Sequence, residues 1–171
     1  MNEPSVTHLP GVFLQDEITF NDSHKLLLGM RYDYNSLHGS ILSPRVNYKW
    51  TSDNKNNVVR MSVGNGYRVA NVFTEDHAAL TGARDVEFEG ELSPETSWNA
   101  NLNFVKKIYT ASQVFISLDG SAFYTYFNNA ILPDYETDPN KIIYGNLDGH
   151  AVSKGASLNV EMSWVNGLNI L

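Results

Sequence analysis

Residues Ser62 to Glu95 read SVGNGYRVANVFTEDHAALTGARDVEFEGELSPE. This stretch closes one strand at Gly66-Tyr67-Arg68, runs through a long polar connection, and opens a new strand at Leu92-Ser93-Pro94-Glu95. On either side the chain alternates apolar and polar residues with a period of two. That is the spacing of a strand whose two faces meet different surroundings.

Working outward, the same rhythm fills the chain. Towards the N-terminus, Val59, Met61 and Val63 alternate with Arg60, Ser62 and Gly64, and Val46, Tyr48 and Trp50 with Arg45, Asn47 and Lys49. Leu26, Leu28, Met30, Tyr32 and Tyr34 share one face, opposite Gly29, Arg31, Asp33 and Asn35. A first segment, Gly11 to Phe20, is less regular, because Asp16 shares a face with Leu14 and Ile18.

Beyond Glu95, Trp98, Ala100, Leu102 and Phe104 alternate with Ser97, Asn99, Asn101 and Asn103. A further segment spans Val114 to Phe127, and a long one is expected from Ile142 to Trp164. Leu168 to Leu171 begins another strand and stops. No stretch carries a helical period, and there is no repeat, low-complexity tract or linker. The reading is an all-β chain of antiparallel up-and-down strands, about seven plus a stub.

Composition narrows the class. The chain has 171 residues, 42% of them hydrophobic and 18% charged, unlike a disordered chain. A net charge of −7 leaves no basic face for nucleic acid. The absence of cysteine removes disulfides and thiolate metal sites. No apolar run is long enough for a membrane helix, which says nothing about a barrel of strands. No secretory leader is seen at the N-terminus.

Half-buried strands in a soluble sandwich alternate as well, so alternation leaves two folds open. Three features favour a transmembrane β-barrel. Connections are short after Phe20, Trp50, Phe104 and Trp164 and longer after Tyr34, Asn65 and Phe127, as in up-and-down barrels. Aromatic residues gather at strand ends on the apolar face, where a lipid–water boundary favours amphipathic rings. The opposite face is rich in Asn, Ser, Arg and Lys, as a watery pore permits. The rival remains a small soluble β-sandwich that binds a ligand or carbohydrate.

Several stretches in order resemble TonB-dependent outer-membrane receptors, in the style of Bacteroidetes members. Phe13-Leu14-Gln15-Asp16-Glu17 with Leu28-Gly29-Met30-Arg31-Tyr32-Asp33 resembles the family's hairpin FxQDE…LxxGxRYD. Ser43-Pro44-Arg45, Gly66-Tyr67-Arg68, Leu92-Ser93-Pro94-Glu95, Ser121-Ala122-Phe123-Tyr124 and Gly155-Ala156-Ser157-Leu158 resemble further family strand motifs. The arginine motif usually continues Ala-Pro, and here it continues Val69-Ala70.

The resemblance implies that residues 1–171 form part of a receptor barrel in the outer membrane, without the plug domain and terminal strands. It implies a receptor rather than an enzyme, contact with lipid, and a small-molecule ligand such as an iron-siderophore or cobalamin-like compound. TonB would act through regions outside this chain, and this piece alone would not transport. No cofactor is expected.

Site residues follow from long loops on a rigid scaffold, which tend to carry binding. The candidates are Tyr67, Arg68, Asn71, Phe73, Glu75, Asp76 and Arg84, with Asn71 to Glu91 as the ligand-facing loop. Arg68 has two open roles: pairing with an anionic ligand or plug carboxylate through its fork, or closing a charge ladder with Arg60 and nearby acids in the wall. The five histidines show no metal-ligand spacing, and no catalytic set is visible. Asp134, Glu136 and Asp138 read as an acidic surface loop before they read as a calcium site.

Overall fold

A computed structural model describes residues 7–69, 84–90, 92–165 and 167–170. The strands are β1 (Gly11–Thr19), β2 (His24–Asn35), β3 (Gly39–Thr51), β4 (Asn57–Arg68), β5 (Asp85–Phe88) and β6 (Glu95–Tyr109). They continue with β7 (Val114–Phe127), β8 (Ile131–Asp134), β9 (Lys141–Asn146), β10 (Ala151–Trp164) and β11 (Asn169–Ile170). No helix occurs among the described residues.

One eight-stranded sheet runs β1-β2-β3-β4-β6-β7-β10-β11, with each neighbouring pair antiparallel. The sequence expectation of about seven strands and a stub matches this sheet, and β11 is the stub. The sheet does not close on itself; β1 and β11 are its edges. A second, three-stranded sheet has the order β5-β9-β8.

Register shows what each face is made of. Directly opposed residues of an antiparallel pair point to the same side. Leu26, Tyr48, Met61, Leu102, Ala122 and Ala156 form one continuous row across the sheet. One residue along each strand, on the other face, the row is Lys25, Lys49, Arg60, Asn103, Ser121 and Ser157. The apolar rows are uncovered: Val46 is 43% exposed, Leu102 46% and Leu158 68%.

Among the described residues no second layer packs on that face. Among the described residues the buried hydrophobics are Ile41, Ala130, Ile131, Ile142 and Tyr144, and all but Ile41 belong to the β7–β10 connection. A sandwich would bury Leu26, Val46, Leu102 and Val160 between two layers. The described residues form no such layer, and the sandwich reading falls. An uncovered apolar face of this extent requires an apolar solvent.

Strand length agrees. β6 has 15 residues, β7 and β10 have 14, and β3 has 13, beyond the 9–11 or so that a tilted strand needs to cross a bilayer. The aromatic residues Tyr32, Tyr34, Trp98, Tyr124 and Tyr126 lie towards the long-connection end of the apolar face, and Trp50 and Trp164 close the other end.

Three local expectations are corrected. The connection after Tyr34 is tight: β2 and β3 stay paired as far as Asn35 and Gly39. Asn35 makes the turn, its Oδ1 accepting from the backbone N–H of Leu37 at 2.8 Å and of His38 at 3.2 Å, while Gly39 takes φ +78, a conformation that favours glycine. The strand holding Phe104 does not turn there but continues to Tyr109. Lys106 and Lys107 fall on opposite faces of this extension, and their long stems can lie along a strand. The expected strand from Ile142 to Trp164 is two strands, broken between Asn146 and Ala151.

Asn35 also donates from Nδ2 to the Tyr67 hydroxyl at 3.0 Å and is almost fully buried. Asn35→Ala should therefore destabilise the hairpin tip by about 1–3 kcal/mol, since buried polar groups lose their partners. Hydrogen exchange at Leu37 and His38 in the refolded barrel reads this directly; unchanged protection would contradict the turn's dependence on Asn35.

Candidate functional site

Tight turns join the strands at one end of the sheet, at residues 20–23, 52–56, 110–113 and 165–168. At the other end, β4 runs into the connection that holds β5, and β7 into the connection that holds β8 and β9. These two long connections fold together as a cap. β5 of the first pairs in parallel with β9 of the second, Asp85 to Lys141 through Phe88 to Tyr144. β8 then pairs antiparallel with β9.

The cap has its own small core. Ile131, Ile142 and Tyr144 are buried together, and Val86 and Leu92 from the first connection pack on them. An ion pair between Lys141 and Glu87, 2.7 Å, ties the same strands at the surface. Glu87 hydrogen-bonds and attracts the Lys141 ammonium, which holds its pKa above the usual lysine value.

Asp134 closes the turn after β8. It accepts from Thr137 Oγ1 and from the backbone N–H groups of Glu136 and Thr137. The Thr137 hydroxyl is the main reason that its carboxyl titrates below the usual value of 3.8. A depressed carboxyl favours the folded turn at neutral pH, and that contribution fades only as pH falls from about 3.8 towards the lower folded value. Asp138 caps Asn140 in the same way, at 2.9 Å, so these carboxylates serve as turn acceptors.

The cap is anchored to the wall by polar groups, of which Glu95 is buried. Arg68, the last residue of β4, stands directly opposite Glu95, the first of β6. Arg68 Nε donates to Glu95 Oε2, and the backbone N–H of Ile131 in β8 donates to Glu95 Oε1 at 2.7 Å. Glu95 is buried, at 7% exposure, whereas the Arg68 side chain is half exposed. Asn129 adds a second anchor, its Nδ2 donating to the Pro94 carbonyl at 2.6 Å and its Oδ1 accepting from the Thr96 N–H at 2.9 Å. Asn146 joins the Ser93 backbone in both directions, at 2.8 and 2.9 Å.

Of the sequence candidates, Tyr67, Arg68 and Arg84 are described. Tyr67 bonds to Asn35 and Arg68 to Glu95, both within the wall. Arg84 sits on the cap, its guanidinium 5.9 Å from the ring centre of Tyr135 and one of its amines 3.5 Å from the Tyr135 carbonyl. Asn71, Phe73, Glu75 and Asp76 lie outside the described residues.

Glu95, Asn129, Asn146 and Tyr135 did not stand out in the sequence as site residues. Glu95 carried a readable signal: an acid and an arginine flanking one connection become neighbours once the flanking strands pair. Asn129 and Asn146 carried none, because their partners are backbone groups.

A single polar-and-apolar sheet with its greasy face bare, tight turns at one end and a folded cap at the other, is an arc of a large outer-membrane barrel. Residues 3–170 match the family model "TonB dependent receptor-like, beta-barrel", and the chain belongs to that family. The iron-regulated outer membrane virulence protein of Vibrio cholerae serotype O1 is 31% identical over 121 residues, which is 70% of this chain and 18% of that protein. The chain thus spans about a fifth of the length of the curated relatives it matches.

Among solved structures, the siderophore receptor PirA from Pseudomonas aeruginosa superposes with a TM-score of 0.71 at 17% identity, covering 91% of this chain and 31% of PirA. The ferric enterobactin receptor PfeA from the same species gives 0.69 at 17% identity, covering 95% of this chain and 25% of PfeA. At such identity these structures support the fold. As part of a barrel of this family, the sheet turns its apolar rows to outer-membrane lipid and its polar face to the lumen.

Proposed function

We propose that the intact receptor takes up an iron chelate of the siderophore kind, with the composite cap as its first contact. The observation that carries this reading is the cap: two long connections joined into one unit at the mouth of the pore, with Arg84 from one stacked on Tyr135 from the other. A half-buried arginine beside an aromatic ring suits a ligand that is planar and negatively charged. The names of the similar proteins, iron-regulated, siderophore receptor and ferric enterobactin receptor, favour iron. A cobalamin-like cargo is the second reading. Energy would reach the barrel from TonB through a plug domain, both outside residues 1–171.

Deleting the full gene should abolish uptake of radioiron from a ferric siderophore under iron limitation, and the gene in trans should restore it. Loss of cobalamin uptake with iron uptake intact would establish the second reading. In the purified receptor, replacing both Arg84 and Tyr135 with alanine should weaken binding of the ferric chelate about tenfold, or about 1.4 kcal/mol. Unchanged fluorescence quenching by the chelate would remove that pair from the site. Among the candidates outside the described residues, Phe73, Glu75 and Asp76 belong to the same connection and form part of this proposal.

A further inference from the structure

Two lysines interrupt the apolar rows of β6, β7 and β10. Lys106 stands directly opposite Leu118, and Lys154 directly opposite Tyr124. No acid shares this face on the three strands. A lysine among lipid-facing residues is costly unless its ammonium reaches water or an anion.

Height decides what each lysine reaches. Lys106 is three residues from Tyr109, the last of β6, and its stem extends to the tight-turn end. Lys154 is ten residues from Trp164, the last of β10. At about 3.3 Å per residue on a strand tilted by about 40°, that is roughly 25 Å, the full height of the apolar band of such a barrel. Its ammonium therefore stands at the opposite edge of the band, level with lipid head groups.

The neighbours of Lys154 are aromatic. Tyr124 is directly opposite, and Trp98, Tyr126 and Val152 form the next row. His150 stacks on Tyr126, with ring centres 5.0 Å apart. Lys154 is exposed, and the side chains of Lys154, Tyr124 and Trp98 make no hydrogen bond or ion pair among the described residues. Towards the middle of the band the side chains are small: Ala122 faces Ala156, and Ala100 stands beside Tyr124. The wall is low where an acyl chain would run.

We propose that this patch binds one phosphorylated lipid of the outer leaflet. Its phosphate sits on Lys154 with His150 as a second donor, and its chains lie along Ala122, Ala156 and Leu158. The unopposed ammonium selects an anion, and the amphipathic rings suit a polar head group above hydrocarbon. A lipid is favoured over free phosphate because the cation stands on an apolar wall. Tight turns face the periplasm in such barrels, which puts Lys154 in the outer leaflet. The site is separate from the cap and independent of which nutrient is carried.

The test uses the full-length receptor, purified in detergent and given diphosphoryl lipid A in small molar excess. Native mass spectrometry should show the lipid retained on the receptor. Lys154→Gln should weaken retention about fivefold, the worth of one lysine at an anionic lipid surface. Lys154→Arg should keep it, and Lys106→Gln should leave it unchanged. Heat-modifiable migration reports that each variant is folded. Undiminished retention by Lys154→Gln, a loss as large in Lys106→Gln, or equal retention of dephosphorylated lipid A would overturn the proposal. Displacement by millimolar inorganic phosphate would overturn it too, leaving a site for the free anion. So would carbodiimide coupling of Lys154 to a carboxylate outside residues 1–171, which assigns its counter-charge to a neighbouring strand.

Discussion

Glu95→Ala should free the cap from the barrel while leaving the barrel folded. The carboxylate links three elements: Arg68 at the end of β4, its own strand β6, and Ile131 in β8. Alanine leaves the Ile131 N–H buried without its acceptor and removes the counter-charge that holds Arg68. Breaking a fully buried ion pair costs about 3–5 kcal/mol; Arg68 reaches water, which lowers that. The expected cost is about 2–3 kcal/mol, mostly the unsatisfied buried groups. It falls on the cap because the bonds of Asn128, Asn129 and Asn146, made to β6 and to the segment before it, then hold it to the rim without the carboxylate. Hydrogen exchange at Ile131 should accelerate, and trypsin should reach Arg84 and Lys141 in the intact receptor. Glu95→Gln keeps an acceptor for Ile131 and should lose about half as much. Wild-type exchange at Ile131 in the alanine variant would mean that the cap is held by other contacts.

How far the sequence reaches is clear from particular strands. The segment from Val114 to Phe127 was legible and coincides with β7, because Val114, Ile116, Leu118, Tyr124 and Tyr126 fall on one face between two turn segments. Both faces of β2, β3, β4 and β6 were readable for the same reason: lipid and water demand opposite side chains at every step. The cap was not legible. Ile142 and Tyr144 alternate just as a membrane strand does, and period two reports that one face is apolar without saying what covers it. Their cover comes from Val86 and Leu92, across a parallel pairing of segments far apart in sequence. Arg68 was singled out from the sequence, yet its choice between ligand and wall depended on register. Pairing β4 with β6 sets it against Glu95.

Leu102→Arg should be the most damaging single change on the wall. Leu102 is the middle residue of β6, with Glu95 and Tyr109 equally distant along the strand. It stands between Met61 and Ala122 in the apolar row. An arginine facing lipid at the bilayer midplane costs about 2–4 kcal/mol, and less towards either interface. The position leaves little relief, since a snorkelling side chain needs a nearby interface and Leu102 has half a strand on either side. Asn101 supplies the control one residue away. It faces the lumen, where its amide donates to Ser62 Oγ at 3.2 Å, and Asn101→Arg should cost within about 0.5 kcal/mol, as for a solvated surface change. Both variants of the full receptor, refolded into lipid vesicles and unfolded with urea, give the comparison from the shift in midpoint. Equal losses at the two positions would show that the faces of β6 are not divided between lipid and water. A negligible loss at Leu102 would place its row in water, and the barrel assignment of this sheet would fall with it.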